Sequence, residues 1–352
     1  MLWLIEGAKK KASASGKEGC FSEVQAGEEE KMANLEKTGR KRGGRKLLGM
    51  LFAVLFFAGI LVAGVFLAGG RGKDAPAQRT EDIHRWIYGI TVDDAWYDDI
   101  KTEDVVAAIR RMPVKPTVRI VMSQESSAED YKELFSALHS VAFVMACPVD
   151  SYYMKYYEDE DSYRRRFQDC WNVLAPYTDL WEIGNEINGV EWIGQDPELI
   201  VKKVESANEY IRSMGGKTAL TMYYARPEDQ DLFRWMSEHL PDKLKKQVDF
   251  ALISYYEDDN EGYLPNWGEI FPKFEKVFPG AKVGFGECGN TAEDATESSR
   301  IRMAKSYYSM KKQSENYVGG YFWWNWVEDC VPKEGERVYE AIGRAMLEGG
   351  KG

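Results

Sequence analysis

The stretch KVGFGECGNTAEDATESSRIRMAKSYYSMKK, residues 282–312, contains the unit that decides the fold. It begins with an apolar, β-rich run, passes through a polar turn and continues into a helical pattern from Glu297 to Lys312. The same succession of an apolar run and a helical pattern recurs from residue 82 onwards. The β-rich runs cover residues 86–91, 117–122, 141–147, 180–184, 218–224, 250–256, 282–287 and 319–326.

Helical patterns lie between and after these runs. One opens at Thr102, and the others cover residues 129–138, 163–174, 197–214, 228–240, 267–278, 297–312 and 337–347. Eight β-runs, each followed by a helix, predict an α/β fold of the (β/α)8 TIM-barrel type over residues 82–348. The structural alternative is a doubly wound open sheet, but the first β-to-α turn lacks that fold's glycine-rich phosphate-binding sequence.

The amino-acid composition argues against several classes of protein and site. Apolar residues make up 44% of the 352 residues and charged residues 29%, which is typical of a globular protein rather than a disordered one. A formal net charge of −11 argues against a nucleic-acid partner. The three histidines are far apart and the five cysteines form no CxxC pair, so we predict neither a metal site nor a cofactor.

Residues 47–68, LLGMLFAVLFFAGILVAGVFLA, form an uncharged run long enough to cross a bilayer as one helix. A buried core helix is the alternative. The run follows a strongly basic flank, which predicts a cytoplasmic N-terminus and an extracytoplasmic C-terminal part. The expected organisation is a mostly disordered basic tail (1–46), a single transmembrane helix (47–68), a linker (69–81) and the barrel domain. Met32 follows a segment whose codons would be purine-rich, so we consider it as an alternative start to Met1.

Two of the predicted strands end in a glutamate. The fourth ends in Gly184-Asn185-Glu186 and the seventh in Gly286-Glu287-Cys288. In a barrel of parallel strands these carboxyl ends meet at one rim, where catalytic groups lie. A retaining glycosidase needs two carboxyl groups about 5 Å apart, one ionised and one protonated. Two glutamates at strand ends on the same rim therefore indicate a glycosidase with Glu186 and Glu287 as its catalytic pair.

The chain from residue 82 to 348 resembles the clan A glycoside hydrolases, which are (β/α)8 enzymes with one catalytic Glu on strand four and one on strand seven. The resemblance implies that Glu186 is the acid/base and Glu287 the nucleophile. It also implies that Asn185 binds the 2-hydroxyl group of the sugar.

Three further residues resemble substrate-site residues of the clan. Arg119 is similar to the strand-two Arg that contacts the nucleophile, and Tyr256 is similar to the Tyr that orients the nucleophile. Tyr255 and Tyr256 face opposite sides of the strand, so one of them should face the barrel and the other the helices. Trp324 would form the floor of the subsite where the bond breaks, with Trp323 as the alternative in register.

The sequence departs from the clan at two strand ends. Ser254 stands where many members carry His on strand six, and residues 147–150 lack the His that several families place after strand three. Cys288 and Cys330 follow strands that are neighbours in a barrel, and both a disulfide and two buried thiols are compatible with this. Candidate sugar-stacking loop residues are Trp96, Tyr97, Tyr152, Tyr153, Tyr156, Tyr157, Trp192, Tyr263 and Trp267.

We therefore expect a membrane-anchored retaining β-glycosidase that cleaves O-glycosidic bonds in a β-linked oligo- or polysaccharide outside the cytoplasm. Two alternatives stay open. One is a protein that binds glycan without cleaving it, or a structural subunit of a membrane complex for polysaccharide synthesis or export. The other is a transglycosidase, which would use the same two glutamates.

Overall fold

The computed structural model describes residues 86–93, 100–331 and 337–349. The predicted basic tail, the transmembrane segment 47–68 and the linker 69–81 lie outside the described residues. Among the helices in the described ranges, none is both long and apolar enough to span a bilayer.

Eight parallel strands form a closed barrel. Each strand pairs with its neighbour in sequence, and the last strand closes the barrel against the first. This arrangement confirms the predicted (β/α)8 barrel, and the doubly wound sheet is wrong. The strands are β1 (Ile87–Val92), β2 (Thr117–Val121), β3 (Phe143–Cys147), β4 (Leu180–Gly184), β5 (Thr218–Tyr223), β6 (Phe250–Tyr255), β7 (Lys282–Gly289) and β8 (Gly319–Trp324).

Helices follow the strands, and side-chain caps set several of their starts. The predicted helix 228–240 begins later, at Leu232, because the side chain of Asp231 accepts a hydrogen bond from the backbone N–H of Arg234. Two 3-10 helices cover Ser151–Tyr156 and Ala175–Tyr177. The α-helices are α1 (Thr102–Arg110), α2 (Lys132–His139), α3 (Glu160–Leu174), α4 (Val190–Ile193), α5 (Pro197–Ser213), α6 (Leu232–His239), α7 (Asp242–Gln247), α8 (Trp267–Val277), α9 (Glu297–Tyr308), α10 (Trp326–Cys330) and α11 (Arg337–Glu348).

The barrel interior changes from apolar to polar along the strands. Its first half is filled by a cluster of apolar side chains that includes Leu180, Ala219 and Leu252. Two residues further along the same strands come Glu182, Thr221 and Ser254, each fully buried. Side chains two apart on a strand share a face, so these polar groups continue the interior stripe. A second, larger cluster fills the space between strands and helices.

A bulge in β7 aims Glu287 into this polar half. Phe285 packs on the helix side of the barrel, against Trp267 and Tyr307. Strict alternation would put Glu287 on that same outer face, but the β6–β7 register shifts between Phe285 and Glu287. The extra residue is Gly286, where a Cβ would lie 2.7 Å from the Thr221 side chain, so only glycine fits.

Candidate active site

Glu186 and Glu287 meet at the C-terminal mouth of the barrel, on either side of Ser254. The backbone of Ser254 pairs with Glu287 in the β6–β7 register. Its hydroxyl group donates to Oε1 of Glu186 at 2.5 Å. The structure thus brings both predicted catalytic carboxyl groups to one rim.

Glu287 is only 7% exposed, and each of its carboxylate oxygens has a donor. Arg119 Nη1 donates to Oε2 at 2.6 Å, and the Tyr256 hydroxyl donates to Oε1 at 2.5 Å. Burial raises the pKa of Glu287, while the charge of Arg119 and the Tyr256 hydrogen bond oppose that rise. Burial also raises the pKa of Tyr256 well above its usual range, so this hydroxyl group stays a donor. These contacts favour an ionised Glu287.

Glu186 has a different environment. Its φ of 45° lies in the left-handed region, which a non-glycine residue adopts only at some cost in energy. Besides the Ser254 contact, the Ser151 hydroxyl approaches Oε2 at 3.4 Å. Burial, and after it the negative charge of Glu287, raises the pKa of Glu186 well above its usual range. With no cation paired to it in the described ranges, Glu186 is the member of the pair suited to hold a proton near neutral pH.

Asn185 has one polar atom left for a ligand. The residue is 1% exposed, and its Oδ1 accepts from the backbone N–H of Ser151 at 3.1 Å. Its Nδ2 finds no hydrogen-bond partner among the described residues. A buried amide donor without a partner is costly, so this group is available to a hydroxyl group bound beside Glu186.

The tryptophans at the end of β8 divide between core and mouth. Trp323 is fully buried, and its Nε1 donates to Oδ2 of Asp329 at 2.8 Å. Trp326 is also fully buried. Trp324 is only partly buried, and the peptide bond that follows it, to Asn325, is cis. Trp324 is therefore the one of the three that is open to a ligand, and Trp323 is core.

The two tyrosines after β6 also separate. Tyr256 points to Glu287, as described above, whereas the Tyr255 hydroxyl donates to the carbonyl oxygen of Tyr263. Tyr255 packs against Tyr224 and Trp267 on the helix side. The structure thus places Tyr256, not Tyr255, at the carboxyl pair.

The sequence did not predict three buried polar residues of the candidate site, which are Glu182, Thr221 and Cys147. Glu182 Oε2 accepts from Arg119 Nε at 2.7 Å, and its Oε1 accepts from the Thr221 hydroxyl. The Cys147 thiol lies 3.7 Å from Arg119 Nη2, and burial raises the pKa of Cys147 well above its usual range. The available signal was Glu182 itself, because a charged residue inside an apolar strand is seldom buried without a partner.

Some of the loop aromatics lie close to Glu186. Trp192 Nε1 donates to the Ser151 hydroxyl at 3.1 Å, and the Trp192 ring meets Tyr223 edge-on at 5.4 Å. Tyr152, Tyr153 and the exposed Tyr156 form a contiguous group on the same 3-10 helix as Ser151. Of the other candidates, Tyr157, Tyr263 and Trp267 pack against the core, and Trp96 and Tyr97 lie outside the described residues.

Cys288 and Cys330 are both buried thiols, with no disulfide between them. Of the two possibilities left by the sequence, the structure has the pair of thiols. Within the described ranges, no group of three or more His, Cys, Asp and Glu side chains is arranged to hold a metal ion.

No family model and no curated protein matches the sequence. Among solved structures, the chain is similar to the family 1 β-glucosidase from Thermotoga maritima, with a TM-score of 0.50 and 12% identity over 74% of this chain and 97% of that one. It is also similar to Saccharomyces cerevisiae Gas2p in complex with laminaritriose and laminaritetraose, with a TM-score of 0.49 and 15% identity over 75% of this chain. The match covers 64% of the yeast chain. The likeness to the Thermotoga protein bears on the fold alone and agrees with the closed barrel.

Proposed function

We propose that this protein is a retaining β-glycosidase with Glu186 as its acid/base and Glu287 as its nucleophile. One observation carries the proposal: two buried carboxyl groups share a rim but have opposite surroundings. Arg119 and Tyr256 donate to Glu287, whereas among the described residues Glu186 receives only hydroxyl contacts, and the negative charge of Glu287 raises its pKa further after burial. Such a difference is what assigns one carboxyl group to acid chemistry and the other to nucleophilic attack.

In the first step, Glu287 attacks the anomeric carbon while Glu186 gives its proton to the departing glycosidic oxygen. The bond to the leaving sugar breaks and a glycosyl ester of Glu287 forms. The loss of charge on Glu287 then lowers the pKa of Glu186, because part of its rise comes from that charge. Glu186 is thereby prepared to act as a base.

In the second step, Glu186 takes a proton from water, and the water oxygen attacks the anomeric carbon from the side that the leaving sugar left. The carboxylate of Glu287 is released and the anomeric configuration is retained. Arg119 and Tyr256, which donate to the two oxygens of Glu287, also stabilise the carboxylate as it leaves.

Substrate binding follows from the groups that remain open at the mouth. Trp324 offers an aromatic face to the sugar that is attacked, and Asn185 Nδ2 a donor to its 2-hydroxyl group. Trp192 and Tyr223 lie on the side of the acid, where the leaving part of the chain would stack. Such an arrangement suits a β-linked oligo- or polysaccharide.

We also propose that residues 47–68 anchor the protein in the cell membrane as a single span, with the N-terminus in the cytoplasm and the barrel outside. The uncharged run and its basic flank support this topology. A tethered enzyme suits the trimming of a cell-surface or exported polysaccharide, alone or beside a complex that makes or exports it.

The experiment that tests the catalytic proposal is the anomeric configuration of the product. The full chain, purified in detergent, is screened against β-glucan, mannan, xylan and galactan, and the active substrate is followed by proton NMR. We expect the first product to carry the β-configuration. An α-product would rule out the double displacement.

Variants of the two glutamates test their roles separately. Glu287→Gln should lose turnover, because the covalent intermediate cannot form. Glu186→Gln should still attack substrates with very good leaving groups, and should accumulate the glycosyl ester. With azide, Glu186→Ala should yield the β-azide and Glu287→Ala the α-azide. The reverse pattern would exchange the two assignments.

Transglycosylation is the second candidate, favoured by the Trp192–Tyr223 pair, because a surface that binds the leaving sugar can also bind an acceptor sugar. Product analysis at rising oligosaccharide concentration separates the two. Products longer than the substrate indicate transfer, and shorter products alone indicate hydrolysis.

A further inference from the structure

A third carboxyl group lies inside the barrel and takes no part in the two steps above. Glu182 is fully buried on β4, four residues before Glu186. Arg119 Nε donates to its Oε2 at 2.7 Å, and the Thr221 hydroxyl donates to its Oε1. Burying a carboxylate is costly unless it is paired and hydrogen-bonded, and these contacts give Glu182 both a cationic partner and a fixed position.

The guanidinium of Arg119 is shared between two carboxylates. Its Nε faces Glu182, while its Nη1 faces Glu287 at 2.6 Å. A guanidinium group is planar, with its donors in a fixed fork, so holding one edge sets the direction of the other. The remaining Nη2 donates to Sγ of Cys147 at 3.7 Å, and burial keeps this thiol neutral by raising its pKa. Inside the barrel, Arg119 therefore forms ion pairs with both Glu182 and Glu287.

We propose that Glu182 is a positioning residue for the nucleophile: it fixes Arg119 in the orientation that meets Glu287 and takes up part of the positive charge of Arg119. This inference rests on the proposed function. Sharing Arg119 gives Glu287 an intermediate degree of charge stabilisation. A carboxylate paired with an unshared cation is a weaker nucleophile, whereas a buried carboxylate without any cation becomes protonated. Burial is the main cause that raises the pKa of Glu287, and the negative charges of Asp150 and Glu182 add to this rise, while Arg119 and the Tyr256 hydroxyl group oppose it.

Glu182→Gln tests this directly. Glutamine has nearly the same shape, and its carbonyl oxygen can still accept from Arg119 Nε, but the negative charge is gone. Glu287 then faces the full charge of Arg119, so its pKa falls. We expect the acid limb of the kcat/KM profile to move to lower pH by about one unit, with kcat reduced and KM little changed.

Two matched variants separate charge from structure. Asp179→Asn makes the same chemical change just before β4, at the opposite end of the strand, where the Asp179 side chain accepts from the backbone N–H of Val144. It should leave the acid limb where it is. Thr221→Val removes the hydrogen bond to Glu182 but keeps both charges, so its shift should be much smaller than that of Glu182→Gln. Thermal melting establishes that each variant is folded.

A Glu182→Gln enzyme with the wild-type acid limb, or a limb that moves equally in Asp179→Asn, overturns the inference. A second readout does not need activity. The Glu carboxyl carbons are labelled with carbon-13 and titrated by NMR, with Glu287 assigned through Glu287→Gln. Wild-type protein that cleaves none of the glycans refutes the proposed function. A Glu287 signal that titrates at the same pH with and without Glu182→Gln refutes the inference.

Discussion

Ser254 contacts Glu186, the proposed acid/base, and its replacement gives a prediction with a definite sign. The Ser254 hydroxyl donates to Glu186 Oε1 at 2.5 Å and so lowers the pKa of Glu186 against the rise caused by burial. In Ser254→Ala this donor is lost. The pKa of Glu186 should rise further, and Glu186 should remain protonated to higher pH.

The size of the expected pKa shift of Glu186 follows from the free energy of one buried hydrogen bond to a carboxylate. Such a bond contributes on the order of 1.5 to 3 kcal/mol to the charged form. One pKa unit corresponds to about 1.4 kcal/mol, so the alkaline limb should move up by roughly one to two units.

The assay is the pH dependence of kcat/KM on a substrate whose leaving group needs protonation. Ser151→Ala is the matched control, since the Ser151 hydroxyl lies 3.4 Å from Oε2 of Glu186 and its contact is weaker. It should move the alkaline limb much less. A substrate with a very good leaving group needs no proton, and its alkaline limb should be insensitive to both changes.

An alkaline limb of Ser254→Ala that stays in place or moves down would refute the reasoning. It would mean that the Ser254 hydroxyl accepts a hydrogen bond from a protonated Glu186 instead of donating to the carboxylate. Equal shifts in both serine variants would assign the effect to general disturbance of the rim.

Three further outcomes are expected. Protease added to right-side-out vesicles should digest the chain beyond residue 75 and spare its N-terminus if residues 47–68 span the membrane; protection of the barrel would defeat that topology. Intact mass should be the same with and without reductant as far as Cys288 and Cys330 are concerned, and both should react with alkylating agents only after unfolding, since both are buried thiols. Burial lowers the pKa of Lys203 from 10.5 to about 8, so the unfolded chain binds more protons between these values. The stability of the wild type relative to Lys203→Met, measured by urea unfolding, should therefore rise from pH 8 to 10.5, and a flat difference would contradict the lowered pKa of Lys203.

The local pattern of the sequence was sufficient to predict the barrel and to place much of the candidate site. Strand and helix periodicities are properties of short segments, and eight repeats of the unit leave few ways to bury their apolar faces. In a parallel barrel the strand ends meet at one rim, so Glu186, Glu287 and Arg119 could be assigned to that rim without coordinates. Helix starts were less predictable, as at Leu232, because capping bonds compete with periodicity.

What the tertiary structure decided was which way side chains face and what they touch. Alternation counted from Phe285 puts Glu287 on the outer face of β7, and only the bulge at Gly286 turns it inward. The register between strands is set when the sheet closes, so the two-residue periodicity of a single strand does not predict it. The sharing of Arg119 between Glu182 and Glu287 has the same origin. It joins strands β2, β4 and β7, which come together only when the barrel closes, and the cost of burying unpaired charge then selects the contacts that are made.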